Sequence, residues 1–212
     1  QGAPHGHPKW SFSNHDVPRH VTRWAQHAVS EDAIARQACA MLMGFEGTIG
    51  IYQGEELGQT ETELVFEELT DPPAIRYWPA VKGRDGCRTP MVWEKDAPNA
   101  GFSTGKPWLP VKPPQAAKAV DQQGAGSVLA FYKDMIAFRK ATPALKNGKT
   151  IFHTLPEPIL AFTRRGDQQI TCVYNLSKTP RTVTLQGEAR VTGHHNATLD
   201  GATLQLPANG FV

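Results

Sequence analysis

Trp10-Ser11-Phe12-Ser13, then Ser30-Glu31-Asp32-Ala33-Ile34, then Thr48-Ile49-Gly50-Ile51-Tyr52-Gln53: the order of these three stretches decides the fold. The first is a short aromatic and apolar run bounded by Pro8 and Asn14, the pattern of a buried strand. In the second, Ser30 is a good helix N-cap, because its hydroxyl can accept an otherwise free N–H of the first turn. Glu31 and Asp32 behind it suit the positive end of the helix dipole. Ile34, Ala38, Met41, Leu42 and Phe45 recur at helical spacing and give one apolar face, and Gly44 and Gly47 stop the helix. The third stretch, rich in β-branched residues, is a second strand that leaves through the loop Gly54-Glu55-Glu56-Leu57-Gly58. Strand, loop, helix, strand is the repeat unit of a parallel α/β fold.

Outward from there, residues 60–125 form a long stretch rich in Pro and Gly. Such a stretch is rarely an idle connection. Trp78, Trp93 and Trp108 within it argue for packed loops rather than disorder. Ser127 then caps an amphipathic helix carrying Val128, Leu129, Tyr132, Met135, Ile136 and Arg139, which Pro143 ends. After Gly148 the period changes to two: Ile151-Phe152 and residues 159–163, 170–174, 183–185 and 204–206 are short strands of a small antiparallel sandwich. The expected division is therefore an α/β part over residues 1–147 and an all-β part over 148–212.

Composition excludes several classes. A formal net charge of +2, with the basic residues scattered, leaves no nucleic-acid footprint. No apolar run approaches the roughly 20 residues of a membrane span. Cys39, Cys87 and Cys172 are odd in number and widely spaced, which fits neither a disulfide framework nor a zinc site but suits buried thiols in a reducing, cytoplasmic setting. The chain opens Gln1-Gly2-Ala3-Pro4-His5-Gly6-His7-Pro8, without an initiator Met, and reads as the middle of a larger protein. His5 and His7 fit a surface loop better than a metal site, so no metal and no cofactor is expected.

In parallel α/β folds functional residues collect at the C-terminal ends of strands. Asn14-His15-Asp16-Val17-Pro18-Arg19 and Gln53-Gly54-Glu55-Glu56 lie there, and Gly83-Arg84-Asp85-Gly86-Cys87-Arg88-Thr89-Pro90-Met91 lies in the long loop. Each has an ordinary reading beside the functional one. Asn-His-Asp can be a loop that hydrogen-bonds its own backbone, Arg84 and Asp85 a surface ion pair of little worth, and one of the adjacent Glu55 and Glu56 simply structural.

Taken together, these segments resemble the α-glucosidase and oligo-1,6-glucosidase branch of glycoside hydrolase family 13, the α-amylase superfamily. That family's fourth signature region, (F/V)xNHDxxR at the end of barrel strand seven, is similar to Phe12-Ser13-Asn14-His15-Asp16-Val17-Pro18-Arg19. Its strand-eight stretch resembles Gly47 to Glu56, and its SRDxxRTPMQW resembles Gly83 to Trp93, with Gly83 in place of Ser and Val92 in place of Gln. Asn99-Ala100-Gly101-Phe102, Pro107-Trp108-Leu109-Pro110-Val111 and the helix Ser127 to Leu145 continue the likeness in order.

The resemblance implies the last two strand–helix units of a (β/α)8 TIM barrel followed by a β-sandwich. It implies a retaining α-glucosidase that removes terminal α-linked glucose from malto- or isomalto-oligosaccharides, or transfers it to acceptors. Such enzymes use two carboxyl groups about 5–5.5 Å apart. The family carries both upstream of the segments matched here, so the rest of the barrel is needed and this chain alone should be inactive. What transfers is a third carboxylate, Asp16, as transition-state stabiliser. His15 and Arg84 would bind the sugar, with Arg19 and Asn14 in support, Arg19 through a buried pair with a carboxylate. Two rivals remain. One is a non-catalytic relative, such as a transporter heavy subunit, against which the intact Asn14-His15-Asp16 and Arg84 speak. The other is a carbohydrate-binding or structural β-module, against which the lack of Trp after residue 148 speaks.

Overall fold

The computed structural model describes residues 6–212. Contacts divide the chain into two compact units, each discontinuous in sequence: one takes the residues through Trp10, Trp24–Gly50 and Phe131–Val212, the other Ser11–Arg23 and Ile51–Ala130.

In the first unit, β1 (Lys9–Trp10) pairs in parallel with β2 (Thr48–Ile49), Lys9 opposite Thr48 and Trp10 opposite Ile49. The helix Glu31–Gly44 lies between them in sequence. Ser30 caps it as its sequence dictates, its hydroxyl accepting the Ala33 N–H at 3.1 Å, and Ile34, Ala38 and Leu42 are buried on the apolar face. Both strands are shorter than expected over 10–13 and 48–53. Nor is the first strand buried, as its apolar run leads one to expect: Lys9 and Trp10 are both exposed, and so is Ile51 beyond the second. A strand lasts only while a neighbour supplies a ladder. Beyond Trp10 the chain bends, and the Ser11 hydroxyl donates to the Ser13 carbonyl at 2.7 Å.

The carbonyl end of that helix is closed by two arginines. Arg139 donates to the carbonyls of Met43, Phe45 and Gly47 at 2.6, 2.8 and 2.9 Å. Arg164 donates to those of Gly44, Leu145 and Gly148 at 2.7, 2.9 and 2.6 Å. Cations suit the negative end of a helix dipole and satisfy carbonyls that have no partner within the helix.

The rest of this unit is antiparallel. β3 (Lys149–His153), β4 (Ile159–Arg165) and β5 (Gln169–Asn175) form one sheet in that order. β6 (Arg181–Thr184), β7 (Thr198–Asp200) and β8 (Thr203–Leu206) form a second, with β8 central. Ala161 and Val173, cross-strand partners, share a core with Val183, Leu204 and Leu206 of the second sheet. On the opposite face of the first sheet Phe162 and Tyr174 turn to the Glu31–Gly44 helix, where the Tyr174 hydroxyl donates to the Ala40 carbonyl at 3.2 Å. The period-two pattern thus separates two buried faces. β7 is three residues long, too short for alternation to signal.

The second unit is mostly packed loop, with short helices at His20–Arg23, Pro72–Tyr77 and Pro113–Ala116. Its core is Leu57, Val92, Ala100 and Ala119, flanked by Met91, Val111 and Leu129. Of the three tryptophans only Trp78 packs, half-buried with its ring 6.3 Å from that of Phe66, while Trp93 and Trp108 are exposed. Asn99, Ala100 and Gly101 run consecutively through the left-handed region, with φ of 52°, 50° and 73°. Asn99 and Ala100 are strained there. The turn is held because the Trp93 and Glu94 N–H groups both bond the Ala100 carbonyl, while the Asn99 amide donates to the Ser103 and Gly105 carbonyls.

Candidate active site

Asn14 makes the turn that presents the site. Its Oδ1 accepts the Asp16 N–H at 2.7 Å, and Asn14 bridges to Val17. The loop bonds its own backbone through Asn14, and Asp16 is turned outward. The Asp16 side chain is 52% exposed and that of His15 68%, so both can meet a ligand. His15 Nε2 lies 3.3 Å from Asp16 Oδ2.

The other carboxylate oxygen faces two guanidiniums. Arg84 Nη1 stands 3.3 Å from Asp16 Oδ1, and Arg88 Nη2 3.4 Å. Arg88 also donates its Nε to the His15 carbonyl at 2.8 Å. The structure therefore brings Asn14, His15, Asp16 and Arg84 together across 68 residues of sequence between Asp16 and Arg84.

Arg84 and Asp85 are not an ion pair. Arg84 turns to Asp71, with Nη2 2.7 Å from Oδ1 and Nε 3.1 Å from Oδ2. Asp85 is fully buried, and its carboxylate accepts the Thr70 and Asp71 N–H groups at 2.6 and 2.8 Å and the Thr70 hydroxyl at 3.1 Å. Hydrogen bonding from Arg84 holds the Asp71 carboxyl below its ordinary range, and the same pair holds the Arg84 guanidinium above its own.

Arg19 corrects a further expectation. It is buried, but its guanidinium goes to backbone carbonyls, Nη1 to Gln53 at 2.8 Å and Nη2 to Cys87 at 3.1 Å, not to a carboxylate. It also lies over the Tyr52 ring, 5.3 Å from its centre. Only its backbone N–H meets a carboxylate, Glu61, at 2.9 Å. Burial lowers the guanidinium pKa and raises that of the Glu61 carboxyl. Arg19 thus ties the Asp16 loop, the chain after β2 and the segment holding Arg84 and Arg88 into one frame. Gly54 makes room: it has φ of 83°, and a Cβ there would come within 2.9 Å of Arg19 Nη1. Glu55 and Glu56 diverge as adjacent residues should. Glu55 is buried and accepts the Tyr52 N–H at 3.2 Å, while Glu56 is half-buried.

Sequence reasoning missed Arg88 and Asp71. Arg88 stands inside a quoted motif but nothing local sets it apart. Asp71 lies in the long loop of residues 60–125, and nothing beside it in sequence points to Arg84. His5 lies outside the described residues, and His7 is exposed. Among the described residues no group of three metal-ligating side chains occurs, and no helix is long and apolar enough to cross a membrane.

Comparison with known proteins gives this geometry its relatives. A "Probable alpha-glucosidase" of Rhizobium meliloti (strain 1021) is 47% identical over 180 residues, covering 84% of this chain and 32% of that protein. A "Probable oligo-1,6-glucosidase 2" of Bacillus subtilis (strain 168) is 34% identical over 197 residues, covering 81% of this chain and 35% of its own length. Among solved structures, the alpha-glucosyl transfer enzyme XgtA superposes with a TM-score of 0.89 at 43% identity, over 98% of this chain and 40% of that one. The chain spans about a third of the length of the curated relatives it matches. Residues 3–148 match the family described as "Alpha amylase, catalytic domain". With that match over most of its length, and with α-glucosidases and oligo-1,6-glucosidases as its relatives, the chain belongs to the α-amylase catalytic-domain family.

Proposed function

We propose that this chain is the C-terminal part of a retaining α-glucosidase that hydrolyses terminal α-linked glucose in small oligosaccharides and can pass the glucose to an acceptor. The observation that carries the reading is Asp16. It is a half-exposed carboxylate whose one oxygen is fixed by Arg84 and Arg88 and whose other faces His15. A carboxylate held in place opposes the positive charge that develops on a sugar ring as its glycosidic bond breaks. It stabilises that state more than the neutral substrate, and so raises the rate rather than merely the affinity. His15 and Arg84 border the same space and would bind the sugar hydroxyls. Arg19 and Asn14 support the loop.

The nucleophile and the general acid are, on this reading, supplied by residues outside this chain. Residues 1–147 would complete a (β/α)8 barrel and residues 148–212 form the C-terminal sandwich. Support comes from the parallel pairing of β1 with β2 around one helix, and from a family match that ends at residue 148, next to the start of β3 at Lys149.

The test is hydrolysis of p-nitrophenyl α-glucoside by the full-length protein and by this chain alone, with the anomer of the released glucose read by NMR. The full-length protein should release the α-anomer first, Asp16→Asn should lose about 10²–10³-fold or more in kcat, and the chain alone should be silent. A full-length protein without turnover would make it a non-catalytic relative. Turnover by the chain alone would mean that the whole site lies within it.

A further inference from the structure

Resting on the proposed function, the structure assigns Asp71 as a positioning residue: it aims Arg84 at Asp16 and offsets the Arg84 charge. Asp71 occupies the N-cap position of the helix Pro72–Tyr77, where an aspartate ordinarily accepts an N–H of the first turn. Here it makes no such bond, and the first two helical residues are prolines, which have no N–H to offer. Its carboxylate, 1% exposed, turns instead to Arg84. It takes Nη2 at 2.7 Å, Nε at 3.1 Å and the Arg84 backbone N–H at 2.8 Å. Two parallel bonds between a guanidinium and a carboxylate fix the plane as well as the distance.

With Nε and Nη2 occupied, Nη1 is the nitrogen left to face Asp16, at 3.3 Å. Asp71 is itself fixed from behind, because the buried Asp85 accepts the N–H groups of Thr70 and Asp71. Asp85 thus sets the backbone of Asp71, Asp71 sets the fork of Arg84, and Arg84 sets Asp16.

Charge gives Asp71 a second task. Asp16 is bordered by two cations, Arg84 and Arg88. Uncompensated, they would repel the same positive sugar that Asp16 is there to favour. Asp71 restores the balance at two positive and two negative groups, and leaves the field of Asp16 to the ligand. Asp71 touches Arg84 and not the sugar, so its effect should pass through Arg84 and fall more on kcat than on KM.

The experiment compares wild type, Asp71→Asn, Arg84→Ala and the double variant of the full-length protein on p-nitrophenyl α-glucoside. Asp71→Asn keeps the shape and removes the charge. It should lower kcat by about 10²-fold, the scale expected of a misplaced catalytic group, with a smaller change in KM. In the Arg84→Ala background the same change should cost nothing further. Wild-type kcat for Asp71→Asn, or losses in the double variant that multiply, would overturn the inference. Should Asp71→Asn fail to fold, Arg84→Lys takes its place: it keeps a cation near Asp16 but offers no fork to Asp71, and wild-type kcat in that variant would overturn the inference equally. A wild-type protein silent on this substrate would sink the proposed function and the inference with it; an active wild type with an unaffected Asp71→Asn would sink the inference alone.

Discussion

Arg88 grips two neighbouring residues with one planar group: its Nη2 lies 3.4 Å from Asp16 Oδ1 while its Nε donates to the His15 carbonyl at 2.8 Å. Lysine carries the charge but cannot make two directed bonds from one plane. Arg88→Lys should therefore leave the protein folded and lower kcat/KM by about 10-fold or more, the order of one or two lost charge-assisted bonds. Steady-state kinetics beside a thermal melt decide it, and unchanged kinetics would remove Arg88 from the site.

His20 is placed to make stability depend on pH. It is buried against Ser13, whose hydroxyl meets both its backbone N–H and its Nδ1 at 3.0 Å. Burial, then the charges of Arg23 and Arg19, push its pKa down to about 3. Between that value and the ordinary 6.5, the unfolded chain binds a proton that the folded chain refuses. Stability should rise with pH across this window and level off above it, with a slope from this group of up to about 1.4 kcal/mol per pH unit. His20→Gln should flatten the slope. Denaturant midpoints of the two proteins at several pH values between 4 and 8 measure the difference, and parallel curves would mean that the imidazole is not held neutral.

Gly44 closes its helix against aromatic side chains. A Cβ there would lie 2.6 Å from the Tyr174 hydroxyl oxygen and 3.0 Å from Phe162 Cζ, and both rings are buried. Replacing glycine by alanine in a helix gains at most about 1 kcal/mol, while forcing a methyl into a filled core costs about 1–3 kcal/mol. The clash should win, so Gly44→Ala should lower the melting temperature. A rise would show that Tyr174 yields easily.

Arg164 is fully buried and donates to three carbonyls. Burial lowers its pKa, yet the bonds recover that cost only while all of them stand. Arg164→Met fills a similar volume and leaves the carbonyls of Gly44, Leu145 and Gly148 without this donor. A loss of about 3 kcal/mol follows from the worth of charge-assisted hydrogen bonds. Urea denaturation measures it; a loss under 1 kcal/mol would mean that water replaces the guanidinium.

Local chemistry made some features legible in sequence. Ser30 can cap only the helix that begins beside it, and the alternation in 159–163 and 170–174 marks strands whatever they pack against. Asn14, His15, Asp16 and Arg84 were found through motifs, and they meet in space. What stayed hidden depends on partners distant in the chain. Asp71 is one more loop residue until its partner Arg84 is placed, Arg19 looks like half of an ion pair until the Gln53 and Cys87 carbonyls arrive, and the strand ends at Trp10 and Ile49 are set by where hydrogen-bond partners run out.

The three cysteines carry a practical consequence. All are buried, Cys39 and Cys172 in one compact unit and Cys87 in the other. Burial pushes the Cys87 and Cys172 thiols up to about 11, so little thiolate is present at neutral pH. A soluble alkylating reagent should find the native protein nearly inert and should modify each thiol only when its surroundings open. Because the thiols are divided between the units, peptide mapping after brief alkylation in rising denaturant would time their opening separately, with no dye or tag added to the chain.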